Sequence, residues 1–101
     1  MPTILQIDFP TSGPWGEEMA SAFADLARLI SETPGLRWKV WTESEESGEA
    51  GGVYLFDDES AARAYLDEHT RRLESFGITD IRARVFDVNE PLTEITRGPL
   101  R

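Results

Sequence analysis

The sequence contains no cysteine and a single histidine, His69. Without thiols, a disulfide, a zinc–thiolate site and a cysteine nucleophile are excluded, and one imidazole cannot build a multi-histidine metal site within a single chain. Basic residues are scarce: 10 against 19 acidic ones in 101 residues, a formal charge of −9. Nucleic acid and anionic membrane both reward lysine and arginine patches, so neither is an expected partner. No apolar run approaches the ~20 residues that span a bilayer. The opening MPTILQIDFP has no basic stretch and meets Asp8 and Pro10 too early for a secretory signal, which points to the cytoplasm. Neither G-x-G-x-x-G nor G-x-x-x-x-G-K-[ST] occurs, which removes the dinucleotide and phosphate loops. There is no Glu-x-x-His pair for a bundle-type di-iron site and no EF-hand spacing, so no metal site is expected. Linkers, repeats and low-complexity tracts are also missing, and residues 1–101 read as one domain with a tail over 90–101.

What is present alternates between two periods. Residues 3–9, TILQIDF, place Leu5, Ile7 and Phe9 on one face of a strand. Pro10, Gly13 and Pro14 interrupt it. Pro14 suits the first turn of a helix whose positive end would meet Glu17 and Glu18. Trp15, Met19, Phe23, Leu26 and Ile30 form the apolar stripe of that helix, and Pro34-Gly35 stops it. A second strand over 36–44 sets Leu36, Trp38 and Val40 on one face and Arg37, Lys39, Trp41 and Glu43 on the other. The stretch 43–49, dense in glutamate, reads as a solvated hairpin loop. A third strand over 51–56 is apolar without alternation, so both its faces should be covered. The second helix starts at Asp57 or Asp58 as N-cap and carries Ala62, Leu66, His69 and Leu73 on its stripe, with Tyr65 alongside. Asp67–Arg71 and Glu68–Arg72 are spaced as i,i+4 pairs, and Gly77 ends the helix. A fourth strand alternates Ile81, Ala83 and Val85 with Arg82, Arg84 and Phe86, and a helical turn can follow Pro91.

Strand, helix, strand, strand, helix, strand is the order of two split βαβ units. It predicts an α+β, ferredoxin-like βαββαβ sandwich: a four-stranded antiparallel sheet with two helices on one face. The other face is then bare in a monomer. A third strand apolar on both sides and a tryptophan on each side of the second strand predict a homodimer joined through its sheet faces.

At several places the residues resemble the YdhR-like monooxygenases of the dimeric α/β-barrel group. The likeness runs through ILQIDF at 4–9, GPWG at 13–16, PGLRWKVWTES at 34–44, EAGGVYLFDDE at 49–59, Y-L-x-x-H-x-x-R-L at 65–73 and FDVNEPL at 86–92. Trp15 departs from the phenylalanine more usual in that turn and keeps its aromatic character. The resemblance implies the same fold, the paired-sheet dimer and oxidation of a small organic molecule by O₂.

His69 is the one side chain whose ordinary pKa lies near neutrality, and it faces the sheet; it is the candidate base, against a structural role bonded to a carbonyl or tyrosine. Tyr54 is the candidate donor to a developing oxyanion. Trp38, Trp41, Trp15 and Phe23 are candidate walls for a flat aromatic substrate, against the commoner fate of core or dimer packing. Trp38 and Trp41 have opposite parity, so one of them faces the helices and the other does not. Gly51-Gly52 can admit a ligand close to the backbone or mark a bulge, and Arg82 and Arg84 can hold an acidic substrate or offset nearby carboxylates. With no cofactor motif, the expected chemistry is cofactor-independent: an electron-rich phenolate or quinol passes electrons to O₂ itself. The alternatives are a non-catalytic ligand-binding or regulatory dimer, and a haem-binding protein that uses His69.

Overall fold

Strand β1 (Thr3–Pro10) is the hub of the sheet in a computed structural model that describes all residues, 1–101. It pairs antiparallel with β3 (Glu49–Phe56) on one side and β4 (Arg82–Asp87) on the other. β3 pairs in turn with β2 (Leu36–Ser44), so the strand order is β2-β3-β1-β4. Helix α1 (Gly16–Ser31) links β1 to β2, and α2 (Glu59–Ser75) links β3 to β4. Both helices cover one face, the predicted ferredoxin-like α+β arrangement. No helix is long and apolar enough to cross a membrane.

Register explains which residues are inside. Leu5 lies opposite Tyr54, Thr3 opposite Phe56 and Ile7 opposite Gly52, so odd positions of β1 and even positions of β3 meet the helices. Leu5, Ile7, Tyr54 and Phe56 pack there against Ile30 of α1 and Ala62, Tyr65 and Leu73 of α2. Each large apolar side chain taken fully out of water contributes ~1.5–3 kcal/mol. Asp58 caps α2 by accepting from the Ala61 N–H at 2.9 Å. Glu68–Arg72 forms at 2.8 Å, whereas Asp67 and Arg71 do not pair.

Several local expectations are corrected. Helix α1 begins at Gly16 with Trp15 as N-cap, so Pro14 lies in the preceding turn, not the first helical turn. The Gly16 N–H donates to Glu43 Oε1 at 2.8 Å, which ties the helix start to the end of β2. The acidic stretch is therefore not wholly solvated: Glu43 holds that helix start, Glu49 pairs with Arg82, and only 45–48 forms the turn. A bulge between Leu36 and Trp38 breaks the alternation of β2. Leu36 consequently joins Lys39, Trp41 and Glu43 on the helix side, away from Trp38 and Val40. No irregularity falls at Gly51-Gly52, where the β1–β3 register is continuous.

The far face of the sheet is not bare. Helix α3 (Glu90–Ile95), capped by Asn89, follows β4. Beyond it the chain reaches the opposite edge strand, where Pro99 C=O accepts from Trp38 Nε1 at 3.0 Å and Leu100 C=O from Arg37 Nη1 at 2.6 Å. To run from β4 to β2 this tail must cross β1 and β3. Leu55 points to that face and is completely buried, while Val40, nearer the other end, is 53% exposed. The tail thus makes an intramolecular contact, at Trp38, on the face assigned to a dimer partner.

Candidate active site

Between α1, α2 and the sheet opens a cleft of about 780 Å³. Its walls include Phe9, Met19, Phe23, Trp41, Tyr54 and His69, with Lys39 among them. Four of the sequence-derived candidates, His69, Tyr54, Trp41 and Phe23, therefore converge on one space. The rings of Phe23 and Trp41, both on its wall, stack on each other at 6.4 Å with planes 23° apart, joining α1 to β2. The other two candidates do not reach it. Trp38 faces the opposite side of the sheet, where it binds the tail, because the bulge leaves it in register with Leu55 rather than Tyr54. Trp15 is spent at the α1 N-cap, where its ring lies against Gly13.

His69 is 3% exposed and stacks on Tyr65 with ring centres 5.0 Å apart. Arg72 Nη1 lies 2.9 Å from its Nδ1. A guanidinium can only donate, so Nδ1 accepts and the ring proton must sit on Nε2. Burial first, then the charges of Lys39 and Arg72, push its pKa down to about 3. The imidazole is therefore neutral at physiological pH, with its lone pair already engaged. With Nδ1 engaged by Arg72, the group His69 has left to offer is Nε2–H, a donor rather than a free lone pair. Alanine at this position would also leave a cavity, so a loss of turnover without a loss of stability is not expected there.

A cleft residue that the sequence reading did not single out is Lys39. It is the chain's sole lysine beside nine arginines. Its ammonium lies 3.5 Å from the Trp41 ring centre and 4.7 Å from that of Tyr54, and it makes no ion pair. Burial, reinforced by the Arg72 charge, lowers its pKa to about 7. Gly52 makes the placement possible, since a Cβ there would stand 2.7 Å from Lys39 Cε. Parity with Trp41 was the signal that could have found Lys39; the cation from α2 that destabilises its proton could not be read from spacing.

Tyr54 and Tyr65 share a hydrogen bond at 3.2 Å between their hydroxyl oxygens. Burial raises the Tyr54 phenol far above its ordinary range and pushes Tyr65 up to about 12. Both stay protonated at neutral pH; Tyr65 donates to Tyr54, which leaves the Tyr54 hydroxyl hydrogen as the one free to donate elsewhere. No cluster of three or more histidine or acidic side chains is placed to hold a metal ion. Arg82 is occupied by Asp8 and Glu49 and Arg84 lies over Phe86, both on strand β4, outside the cleft.

The backbone is similar to several solved structures. One is a "putative antibiotic biosynthesis monooxygenase" from Deinococcus radiodurans, with TM-score 0.62 and 14% identity over 86% of this chain and 92% of that one. A second is a mutant of SnoaB, a cofactor-independent oxygenase from Streptomyces nogalater, with TM-score 0.59 and 18% identity over 87% and 93%. The structural-genomics protein YJCS gives 0.61 and 16% over 87% and 98%. At these identities the likeness is one of fold. No curated protein matches the chain. Residues 4–99 match the family described as "Putative mono-oxygenase ydhR", and the chain belongs to that family.

Proposed function

We propose that the protein is a cofactor-independent monooxygenase acting on a small aromatic or quinol-type substrate, with Lys39 as the base. The observation that carries this reading is a lysine held near neutrality inside an aromatic cleft, with no carboxylate partner. Membership of the monooxygenase family supports it, as does the shared fold with an enzyme that oxidises without a cofactor.

Phe23 and Trp41 grip a flat ring. The neutral Lys39 amine takes the phenolic proton and becomes the ammonium counter-ion of the phenolate. One charge-assisted hydrogen bond contributes ~1.5–3 kcal/mol, enough to lower the substrate's pKa by one to two units. The electron-rich phenolate then reduces O₂, and carbon–oxygen bond formation follows at a ring C–H ortho or para to its oxygen. Overall, HO–Ar–H plus O₂ becomes the quinone O=Ar=O plus H₂O, the electrons coming from the substrate. His69 Nε2–H and the Tyr54 hydroxyl are the donors for oxyanions formed on the way. The apolar walls keep water from the intermediate.

The same reading includes a cytoplasmic homodimer. Val40 (53% exposed) and Phe86 (39%), both on the face away from the helices, are the apolar residues left for a second sheet.

An oxygen electrode tests the chemistry, using metal-free protein and a panel of hydroquinones and hydroxynaphthalenes. Uptake is expected with the wild type, and Lys39→Met should lower kcat/KM at pH 7 by ~10²-fold or more. Absence of uptake across the panel would leave a ligand-binding domain. Undiminished uptake in Lys39→Met would remove Lys39 from the mechanism.

A further inference from the structure

Three features of Lys39 go beyond a base. It is one lysine in a chain with 19 carboxylates, yet no carboxylate reaches it. Its stem is laid across Gly52, the one residue type that gives it room. Its nitrogen sits over the faces of Trp41 and Tyr54 on the wall of the cleft. A lysine that is desolvated and set near another cation, here Arg72, is in the surroundings that make an amine nucleophilic.

We propose that Lys39 is an imine-forming amine, and that the cleft takes up an aromatic aldehyde or ketone and condenses its carbonyl with Nζ. The nitrogen lone pair attacks the carbonyl carbon, a C–N bond forms, and the carbonyl oxygen becomes the hydroxyl of a carbinolamine. That hydroxyl takes a proton and leaves as water, giving R–N=CR′₂; R–NH₂ plus O=CR′₂ equals imine plus H₂O, with no change of oxidation state. Tyr54 and His69, on the same wall, are the donors at hand for the departing oxygen. The aromatic wall that Phe23, Trp41 and Tyr54 give the cleft favours a planar carbonyl compound over an aliphatic one. The lowered affinity of Lys39 for its proton leaves a large fraction of the amine free at neutral pH.

Reductive trapping tests this without any dependence on oxygenase activity. Wild-type protein is incubated under nitrogen at pH 7 with 2-hydroxy-1-naphthaldehyde and sodium cyanoborohydride, with Nα-acetyl-lysine amide in the same vessel. Peptide mapping then follows alkylation at Lys39. Labelling at least ~10²-fold faster than the free lysine is expected, because an ordinary lysine is almost wholly protonated at this pH. Added 2-naphthol, which has no carbonyl, should slow the protein reaction and leave the free lysine unaffected. In guanidinium chloride the advantage should vanish. Labelling of Lys39 no faster than the free lysine overturns the proposal. Fast labelling indifferent to 2-naphthol also overturns it, since the amine would then react without a ring-binding cleft. Loss of oxygen uptake in the earlier assay, with trapping intact, would refute the oxygenase and not the imine.

Discussion

Lys39 and His69 each lose affinity for a proton on folding, and this fixes a sign for stability. For Lys39 the unfolded pKa is 10.5 and the folded one about 7. Below 7 both states carry the proton and the cost of burying the ammonium is present in full. Between 7 and 10.5 the unfolded chain holds a proton that the folded one does not, so stability rises with pH. For His69 the unfolded value is 6.5 and the folded one about 3. The imidazole therefore makes the folded state less stable as pH falls from 6.5 toward 3. Lys39→Met keeps the stem and removes the titration. The difference in Tm, wild type minus variant, should accordingly climb from pH 7 to 10 and stay flat from pH 5 to 6.5. A constant difference over the alkaline range would mean that Lys39 titrates normally. Little of this was legible beforehand. The sequence placed Lys39 on the Trp41 face and His69 on the inward stripe, yet the proton affinities depend on Arg72, which read only as the partner of Glu68 on an exposed helix surface.

At the scale of elements, alternation and caps located most boundaries. Strand β2 starts and ends where its pattern does, and Asp58 is the cap that its residue type suggested. Two features were out of reach. A bulge leaves no mark in hydrophobic alternation, because it changes which residues face each other and not which residues are apolar; Leu36 moved to the core for that reason. The tail was unreadable because its anchors, Trp38 to Pro99 and Arg37 to Leu100, join positions some sixty residues apart. It docks on Trp38, the cross-strand neighbour of the fully buried Leu55, so part of that face is occupied within one chain. Deleting residues 98–101 should strip Trp38 Nε1 of its acceptor and open Leu55 to water. We expect a loss of ~1–3 kcal/mol, seen as a lower urea midpoint. An unchanged midpoint would show that the tail contributes no stability.

For the whole molecule, charge separates outside from inside. The chain carries −9 overall, while the cleft is lined by Lys39, with the Arg72 charge acting on it. Such a field repels anions at a distance and disfavours substrates already ionised in solution. On the proposed mechanism a neutral phenol approaches unhindered and loses its proton at Lys39. Association is the other question at this scale. With the tail docked at Trp38, a sheet-to-sheet dimer must rest on what remains around Val40 and Phe86. Sedimentation velocity at micromolar concentration should give twice the chain mass, and Val40→Glu should shift it toward one chain. A wild type that sediments as a single chain would remove the dimer while leaving the cleft intact, since every wall residue named belongs to one chain.

The claim beneath the mechanism is that one amine in an aromatic cleft gives up its proton near neutrality. The chain has a single lysine, so lysine labelled with ¹³C at Cε yields one side-chain resonance to follow by NMR through a pH titration. A midpoint near 7 is the predicted result; a midpoint above 10, that of a lysine in water, would contradict it.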